Sequence, residues 1–565
     1  LYIALKNEMM KFNLNVCIPP VISAFRTFFI LSVCLFFFVY TSPAQSLCLI
    51  PWPAAVEISE EKFELKKGVI YCAEDSLFAE AEFLKKKLET AGYTARIGKR
   101  LGQKSNILLK LDRQLKVREG YRLRITPDRL EISGKTPAGV FYGIQTLLQL
   151  VEDGEKVGNG VNLVCCRIED FPRYEWRGYM LDEARHFFGK EKVKQLLDLM
   201  AYFKLNKFHW HLTDEPGWRI EIKKYPRLTA VGGKGSWSCP EDSTSRYYTQ
   251  EEIKEIVDYA SERHIEIIPE LDMPGHATAA NRAYPAYSGG GTPAHPDFTF
   301  HPGKEEVYTF LGEVLREVAG LFPSAYLHIG GDEVAFGSDA WKTDPYIRRL
   351  MQQENLKDIK EVENYFMHRM SDTVRNLGKR TAGWDELLEA RPEPSSTLIF
   401  WWRHDRPEVL RKCLEKGFAT VLCPRKPLYF DFIQQERDKW GRVWDGFCPL
   451  EDVYAFPEKL RREEKWPANY SGFIRGIQAN LWTERVQNEN RLDYMTFPRL
   501  CALAEAAWTP EGKKDFSRFR KGLEGVYRLL DGYGIYYFDS RDPEAHPEPE
   551  GCHRKKREVP MDFRD

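Results

Sequence analysis

Short apolar runs recur from residue 172 onward, near 177–182, 207–212, 264–271, 325–330, 380–384, 396–402, 418–423 and 474–481. Helical patterns lie between several of them, so they read as buried strands alternating with helices. In TQEEIKEIVDYASERH (249–264), Thr249 and Glu252 form a capping box, and Ile253, Ile256, Val257 and Ala260 share one face. NYFMHRMSDTVRNLGK (364–379) predicts another helix, ending near Gly378. Eight strands with helical returns predict an α/β fold, a (β/α)₈ TIM barrel over residues 172–540. An open parallel sheet is the alternative, weakened by the lack of a Gly-rich dinucleotide turn.

The stretch before the barrel has a different texture. SLFAEAEFLKKKLETAGY (76–93) predicts an amphipathic helix and NILLKLD (106–112) a strand. GYRLRITPDRLEISG (120–134) predicts a hairpin turning at Pro127-Asp128, and PAGVFYGIQTLLQLVE (137–152) a helix with Pro137 in its first turn. Residues 49–170 thus form a small α+β domain. At the other end, 541–565 are polar and proline-rich and read as a tail whose HRKKR run is solvated.

Lys6, Lys11 and Arg26 precede the apolar run 28–40, and Ser42-Pro43-Ala44 follows it. This is the pattern of a secretory signal peptide over residues 1–44, with an apolar core shorter than a membrane span. It predicts an exported protein, periplasmic or secreted, with no membrane association after cleavage. Gln45-Ser46-Leu47 places no small residue directly before Cys48, which argues against lipid attachment.

Composition narrows the function. The 82 basic and 83 acidic residues nearly cancel, which argues against a nucleic-acid partner. The 12 cysteines include no CxxC pair, so neither a disulfide framework nor a zinc ribbon is indicated. Fourteen Trp and 27 Tyr among 565 residues supply flat surfaces suited to stacking on sugar rings.

The chemistry sits where barrel strands end. Strand one runs from Arg177 to Asp182; the others lead into HWHLTDEPGW (209–218), ELDMPGH (270–276), HIGGDE (328–333), GWDE (383–386), FWWR (400–403), LYFD (428–431) and NLWTE (480–484). Acids, His and aromatics at so many strand ends imply a deep polar pocket with aromatic walls. Trp384, Trp402 and Trp482 could ring one volume, and a lone tryptophan would instead cap the barrel core. Ordinary glycosidases oppose two carboxyls across the scissile bond, about 5–5.5 Å apart for retention and about 6.5–9.5 Å for inversion. Asp332 and Glu333 are sequence neighbours and cannot straddle a bond that way. They suit a division of labour in which one donates a proton and the other orients a substrate group; their proximity raises a carboxyl pKa and helps an acid stay protonated. The bland reading makes Asp332 a helix cap.

HIGGDEV, HWHLTDEPGWR, ELDMPGHA, WRGYMLDEARHF, AGWDE and LWTE together resemble the family 20 glycoside hydrolases, the β-N-acetylhexosaminidases, over nearly the whole chain beyond residue 48. The resemblance implies a retaining mechanism in which the substrate's 2-acetamido group is the nucleophile, and the two-carboxylate scheme has this exception. It implies Glu333 as general acid and base, Asp332 as partner of the acetamido nitrogen, and Tyr429 as donor to the acetamido oxygen. Trp384, Trp402 and Trp482 would enclose the methyl. Arg177 and Glu484 would grip the 3- and 4-hydroxyls, Asp431 the 6-hydroxyl region, and Trp444 would flank the sugar. Asp214 and His276 would polarise and position the acid/base. Trp402 rather than Trp401 would face the pocket, since it precedes Arg403. Neither metal nor organic cofactor is implied. The expected partner is a glycan with terminal β-GlcNAc or β-GalNAc, and oligomeric state is not specified. The long segment 289–303 departs from the pattern and would shape the leaving-group side.

Two other classes compete. His209 and His211 resemble an amidohydrolase metal pair that His276, His328 and Asp332 could complete, but this leaves the aromatic residues without a role. A non-catalytic glycan-binding protein would keep the pocket without needing Asp332, Glu333 and Tyr429 together. Within the family, disaccharide release would require a more open pocket.

Overall fold

A computed structural model of the chain describes residues 47–98, 106–444 and 446–552. The signal-peptide expectation therefore lies outside the described residues. From Cys48 onward the chain forms one contact unit.

The small domain is a mixed sheet with two helices. Its strands are β1 (Ala55–Leu65), β2 (Lys67–Cys72), β3 (Thr94–Ile97), β4 (Ile107–Leu111), β5 (Tyr121–Ile125), β6 (Leu130–Gly134), β7 (Glu155–Val157) and β8 (Gly160–Asp170). They are ordered β1-β8-β5-β6-β4-β2-β3, with β7 paired to β8. The hairpin β5–β6 pairs antiparallel as its turn residues dictate. The helices Phe78–Thr90 and Pro137–Asp153 match the two apolar periodicities. β1, β2, β3, β7 and β8 are additions that the sequence pattern did not predict.

The barrel closes from β9 (Trp176–Asp182), β10 (Lys207–His211), β11 (Glu266–Glu270), β14 (Tyr326–His328), β15 (Arg380–Trp384), β16 (Thr397–Trp401), β17 (Ala419–Leu422) and β18 (Ile474–Leu481). All neighbouring pairs are parallel, and β18 returns to β9. The short antiparallel pair β12 (Ser288–Gly290) and β13 (Thr299–Phe300) decorates the β11 return. Trp176, Met180, Ile268, Leu398, Phe400 and Val421 fill the interior as a packed core. The capping box forms as expected: Glu252 N donates to Thr249 Oγ1 and Thr249 N donates to Glu252 Oε2, both at 3.1 Å. The helix predicted over 364–379 begins earlier, at Ile359, because the Asp358 carboxylate caps it.

The C-terminal segment corrects the expectation of a free tail. Residues 545–552 pack back onto the barrel, where Glu548 pairs with the fully buried Arg491 and Gln487 Nε2 donates to Glu550 O. The HRKKR run lies outside the described residues. No disulfide joins any of the described cysteines. Among the described residues no helix is long and apolar enough to cross a membrane.

Candidate active site

The loops after the barrel strands enclose a pocket lined by Arg185, His276, Asp332, Glu333, Trp402, Arg425, Tyr429, Arg442, Trp444, Trp482 and Glu484. Asp214, Asp431 and Trp384 stand one contact behind this lining.

The β14 turn presents the acid pair. After His328 the chain runs through Gly330 (φ 65°) and Gly331 (φ 99°), and Glu333 itself is left-handed at φ 52°. Both glycines are required. A Cβ on Gly330 would lie 1.7 Å from Asp272 Oδ1, and one on Gly331 would lie 2.7 Å from Met367 Cε. Strained backbone at Glu333, and again at His276 (φ 54°), persists only where surrounding contacts enforce it. The turn buries Asp332 while leaving the Glu333 side chain 33% exposed at the mouth. Asp332 Oδ1 is buried without a hydrogen-bond partner.

Behind Glu333 runs a charge relay. His276 Nε2 lies 3.6 Å from Glu333 Oε2 and 3.7 Å from Asp332 Oδ2, and its Nδ1 is 3.1 Å from Asp214 Oδ1. Asp214 Oδ2 meets Arg185 Nη2 at 2.8 Å and His211 Nε2 at 3.0 Å. Burial opposes charge on both partners of the His276–Asp214 pair, yet Asp214 holds the imidazole well above its usual pKa. Arg185 and His276 in turn hold Asp214 well below the carboxylate range. The upward shift expected of adjacent acids falls on Asp332: burial is the main cause, Asp272 next, and Glu333 contributes less.

A second network lies beneath. β10 alternates, so His209 and His211 point inward while Trp210 packs outward on Tyr248 at 4.7 Å. Glu270 gathers His209 Nε2 (3.0 Å), His211 Nδ1 (2.6 Å), His328 Nδ1 (3.0 Å) and Trp384 Nε1 (2.9 Å). Both histidines of the sequence's HxH pair face inward and meet Glu270, and His211 also reaches Asp214 through its other nitrogen.

The aromatic walls assemble from three strand ends. Trp402 and Tyr429 are near-parallel with ring centres 6.3 Å apart, and Tyr429 and Trp482 lie 6.1 Å apart. Trp402 faces the pocket because its backbone N donates to Asp385 Oδ2 (3.1 Å) and its Nε1 to Glu386 Oε2 (3.0 Å). Trp401, next in the pleat, is fully buried on another face, with its indole directed at Arg406 O. Trp384 sits behind Trp482 at 5.8 Å. Trp444 is 42% exposed and stands at the rim, against Phe432.

Arg177 does not belong to this site. It opens β9, at the opposite end of the barrel from the pocket, and is fully buried. Its guanidinium donates to Glu119 (2.9 and 3.0 Å), Tyr142 Oη (3.1 Å), Tyr174 O (2.8 Å) and Lys204 O (2.8 Å), joining the small domain to the barrel floor. The arginine at the pocket is Arg185, just past the end of β9. It lies over the Trp482 ring at 5.0 Å, reaches Asp182 at 3.3 Å and Glu484 at 4.0 Å, and keeps a buried, unpartnered Nε. The signal was available: mouth residues follow strand ends, which favours Arg185 over Arg177. Arg425 and Arg442 had no comparable local signal.

Glu484 is held below its usual pKa although burial opposes this, because Arg442 and Arg185 flank it. Asp431 is pushed up to about 6 by burial, which Arg442 only partly offsets.

Comparison with known proteins agrees with this architecture. Residues 174–511 match the catalytic domain of glycosyl hydrolase family 20 and residues 47–171 match its domain 2. A β-hexosaminidase of Porphyromonas gingivalis is 38% identical over 516 residues, covering 87% of this chain and 64% of its own length. The chain thus spans less than two thirds of that relative. A β-hexosaminidase of Vibrio furnissii is 35% identical, covering 82% of this chain and 76% of the relative. The structure of an exo-β-N-acetylglucosaminidase from Vibrio harveyi in complex with N-acetylglucosamine superposes with a TM-score of 0.80 at 33% identity, covering 87% of this chain and 78% of that one. A barrel entered through an α+β domain, with adjacent acids at the end of its fourth strand, carries the family's own architecture: the chain belongs to glycosyl hydrolase family 20.

Proposed function

We propose that the protein is a retaining exo-β-N-acetylhexosaminidase, exported to the periplasm or beyond, that removes terminal non-reducing β-linked GlcNAc or GalNAc by substrate-assisted catalysis. The observation that carries this reading is the asymmetry of the acid pair. Glu333 reaches the mouth, whereas Asp332 is buried with Oδ1 unpartnered. No carboxyl opposing Glu333 is then needed if the substrate brings its own nucleophile.

In this mechanism the acetamido oxygen attacks the anomeric carbon while Glu333 protonates the departing glycosidic oxygen. The bicyclic oxazolinium carries positive charge at nitrogen. Burial and Asp272 disfavour an Asp332 carboxylate, and the positive charge developing on the acetamido N–H that it accepts from offsets that penalty. The stabilisation is thus larger in the transition state than in the ground state, which is what accelerates a step. Tyr429 donates to the acetamido oxygen and keeps it aimed, and Trp402, Trp482 and Trp384 exclude water around the methyl. Glu333 then takes a proton from water attacking from the vacated side, so configuration is retained. Asp214 and His276 fix the orientation of Glu333.

The test is hydrolysis of p-nitrophenyl β-GlcNAc, with proton NMR of the first product. Release of the β-anomer, and failure to cleave the β-glucoside lacking the acetamido group, supports the mechanism. Equal cleavage of both glycosides refutes it.

A further inference from the structure

Arg442 lines the pocket and pairs with Asp431 and Glu484, the two acids that the family resemblance sets at the 6- and 4-hydroxyls of the terminal sugar. Its Nε is paired with Asp431 Oδ2, and its Nη2 donates to Glu484 Oε1 at 2.8 Å. One guanidinium therefore bridges two carboxylates that come from the ends of different strands. Nη1 takes part in neither ion pair. Arg442 lines the pocket whereas Asp431 does not, and Asp431 Oδ1 stays buried without a partner. This end of the pocket thus offers an arginine donor beside the Glu484 carboxylate, with Asp431 behind it.

The loop that carries Arg442 is braced from outside the barrel. Arg442 N donates to Asp431 O at 2.9 Å. Just before it, Glu548 accepts from the backbone of Lys439 (2.6 Å) and Trp440 (2.9 Å), while pairing with buried Arg491 at 2.7 Å. On the other side, Arg485 donates to Gly441 O at 3.2 Å and Cys552 Sγ lies 3.0 Å from Glu484 O. The docked C-terminal segment therefore touches the carriers of both Arg442 and Glu484.

We propose that Arg442 is a specificity-determining residue that reads the 4- and 6-hydroxyl end of the terminal sugar, and that Glu548 is the positioning residue that holds its loop in register. This rests on the reading of the pocket as a terminal N-acetylhexosamine site. Two anchors remove the side-chain freedom that an exposed arginine would otherwise lose on binding. A site that hydrogen-bonds a hydroxyl discriminates strongly against the analogue lacking it, since its buried polar groups are then left unpaired.

The experiment compares kcat/KM for p-nitrophenyl β-GlcNAc and its 4-deoxy and 6-deoxy counterparts in wild type, Arg442→Ala, Arg442→Lys and Glu548→Gln. Loss of a charged hydrogen bond predicts a fall of about 10- to 100-fold for Arg442→Ala on the parent glycoside. The fall is smaller on at least one deoxy glycoside, because the group being read is already missing. Arg442→Lys, which keeps the charge and the fold, shows the same substrate pattern with a smaller loss, and so does Glu548→Gln. An equal loss on all three glycosides in Arg442→Ala and Arg442→Lys overturns the proposal and leaves a structural role. A wild type that cleaves no β-N-acetylhexosaminide overturns instead the functional reading beneath it.

Discussion

His276 Nδ1 stands 3.1 Å from Asp214 Oδ1, and this contact orients the imidazole so that its other nitrogen faces Glu333 at 3.6 Å. Replacing Asp214 by Asn keeps the shape but removes the charge that, against burial, raises the His276 pKa. Asp214→Asn is expected to lower kcat by about tenfold or more, the scale of one positioned acid–base contribution, with a smaller change in KM. Steady-state kinetics over a range of pH check this. A kcat and pH profile identical to wild type would remove the relay from the mechanism.

Glu333→Gln removes the proton donor while keeping the side chain's size. Turnover of substrates with poor leaving groups, such as chitobiose, should fall by about 10²- to 10⁴-fold. An activated aryl glycoside, whose leaving group needs little protonation, should suffer less. Undiminished chitobiose hydrolysis would contradict the assignment.

Asp332→Asn and Tyr429→Phe act on the acetamido group. Each is expected to lower kcat by about 10²- to 10³-fold, the cost of losing one electrostatic stabiliser of a developing charge. Binding of GlcNAc should be partly retained, which titration calorimetry would measure. Loss of binding with kcat unchanged would point to a ground-state role.

Arg177 in the first barrel strand and Arg185 just past its end separate stability from activity. Arg177→Ala strands the Glu119 carboxylate among buried groups and should cost about 3–5 kcal/mol of stability, read as a lower Tm. Arg185→Ala should instead lower kcat/KM by about 10- to 100-fold, since it removes charged hydrogen bonds at the pocket. The opposite pattern in thermal melts and kinetics would return Arg177 to the site.

Asp272 links the pocket to pH. Burial first, and Glu270 next, push it up to about 7 against the opposing pull of His276. Its folded pKa exceeds its unfolded value near ~3.9, so the native state binds more protons through this window. Its favourable contribution is full below the unfolded value and is lost as pH rises through about 7. Asp272→Asn lacks this titration. Its Tm should therefore gain on wild type as pH increases from about 5 to about 8. A Tm difference that is flat across that range argues against the raised acid.

The local signals were dependable where their cause was local. Glu252 caps the helix three residues after Thr249 because the backbone donors of a first turn are always unpaired, and the box forms as read. Trp402 lines the pocket and Trp401 does not, the choice that the following Arg403 favours through the family resemblance. Trp384, at the end of its strand, and Asp431, nine residues beyond the end of its strand at Leu422, stand behind the pocket lining because their neighbours intervene. Arg177 lies on the right strand but near its N-terminal end, so its side chain is buried at the barrel floor and not at the mouth.

The sequence by itself determined the eight strands, the domain order and the acids gathered at the barrel mouth, since period, polarity and strand direction are properties of short stretches. It also set Gly330 and Gly331 before Asp332 and Glu333, where Asp272 approaches Gly330 closely and Gly331 takes a φ of 99°. Only the tertiary structure decided which arginine reaches the pocket, that Glu270 gathers three histidines and Trp384, and that Arg442 bridges Asp431 to Glu484. It alone turned the polar C-terminal residues into a brace through Glu548. The reason is physical: these pairings join residues far apart in the chain, and burial and charge at each partner are fixed only once the barrel has closed around them.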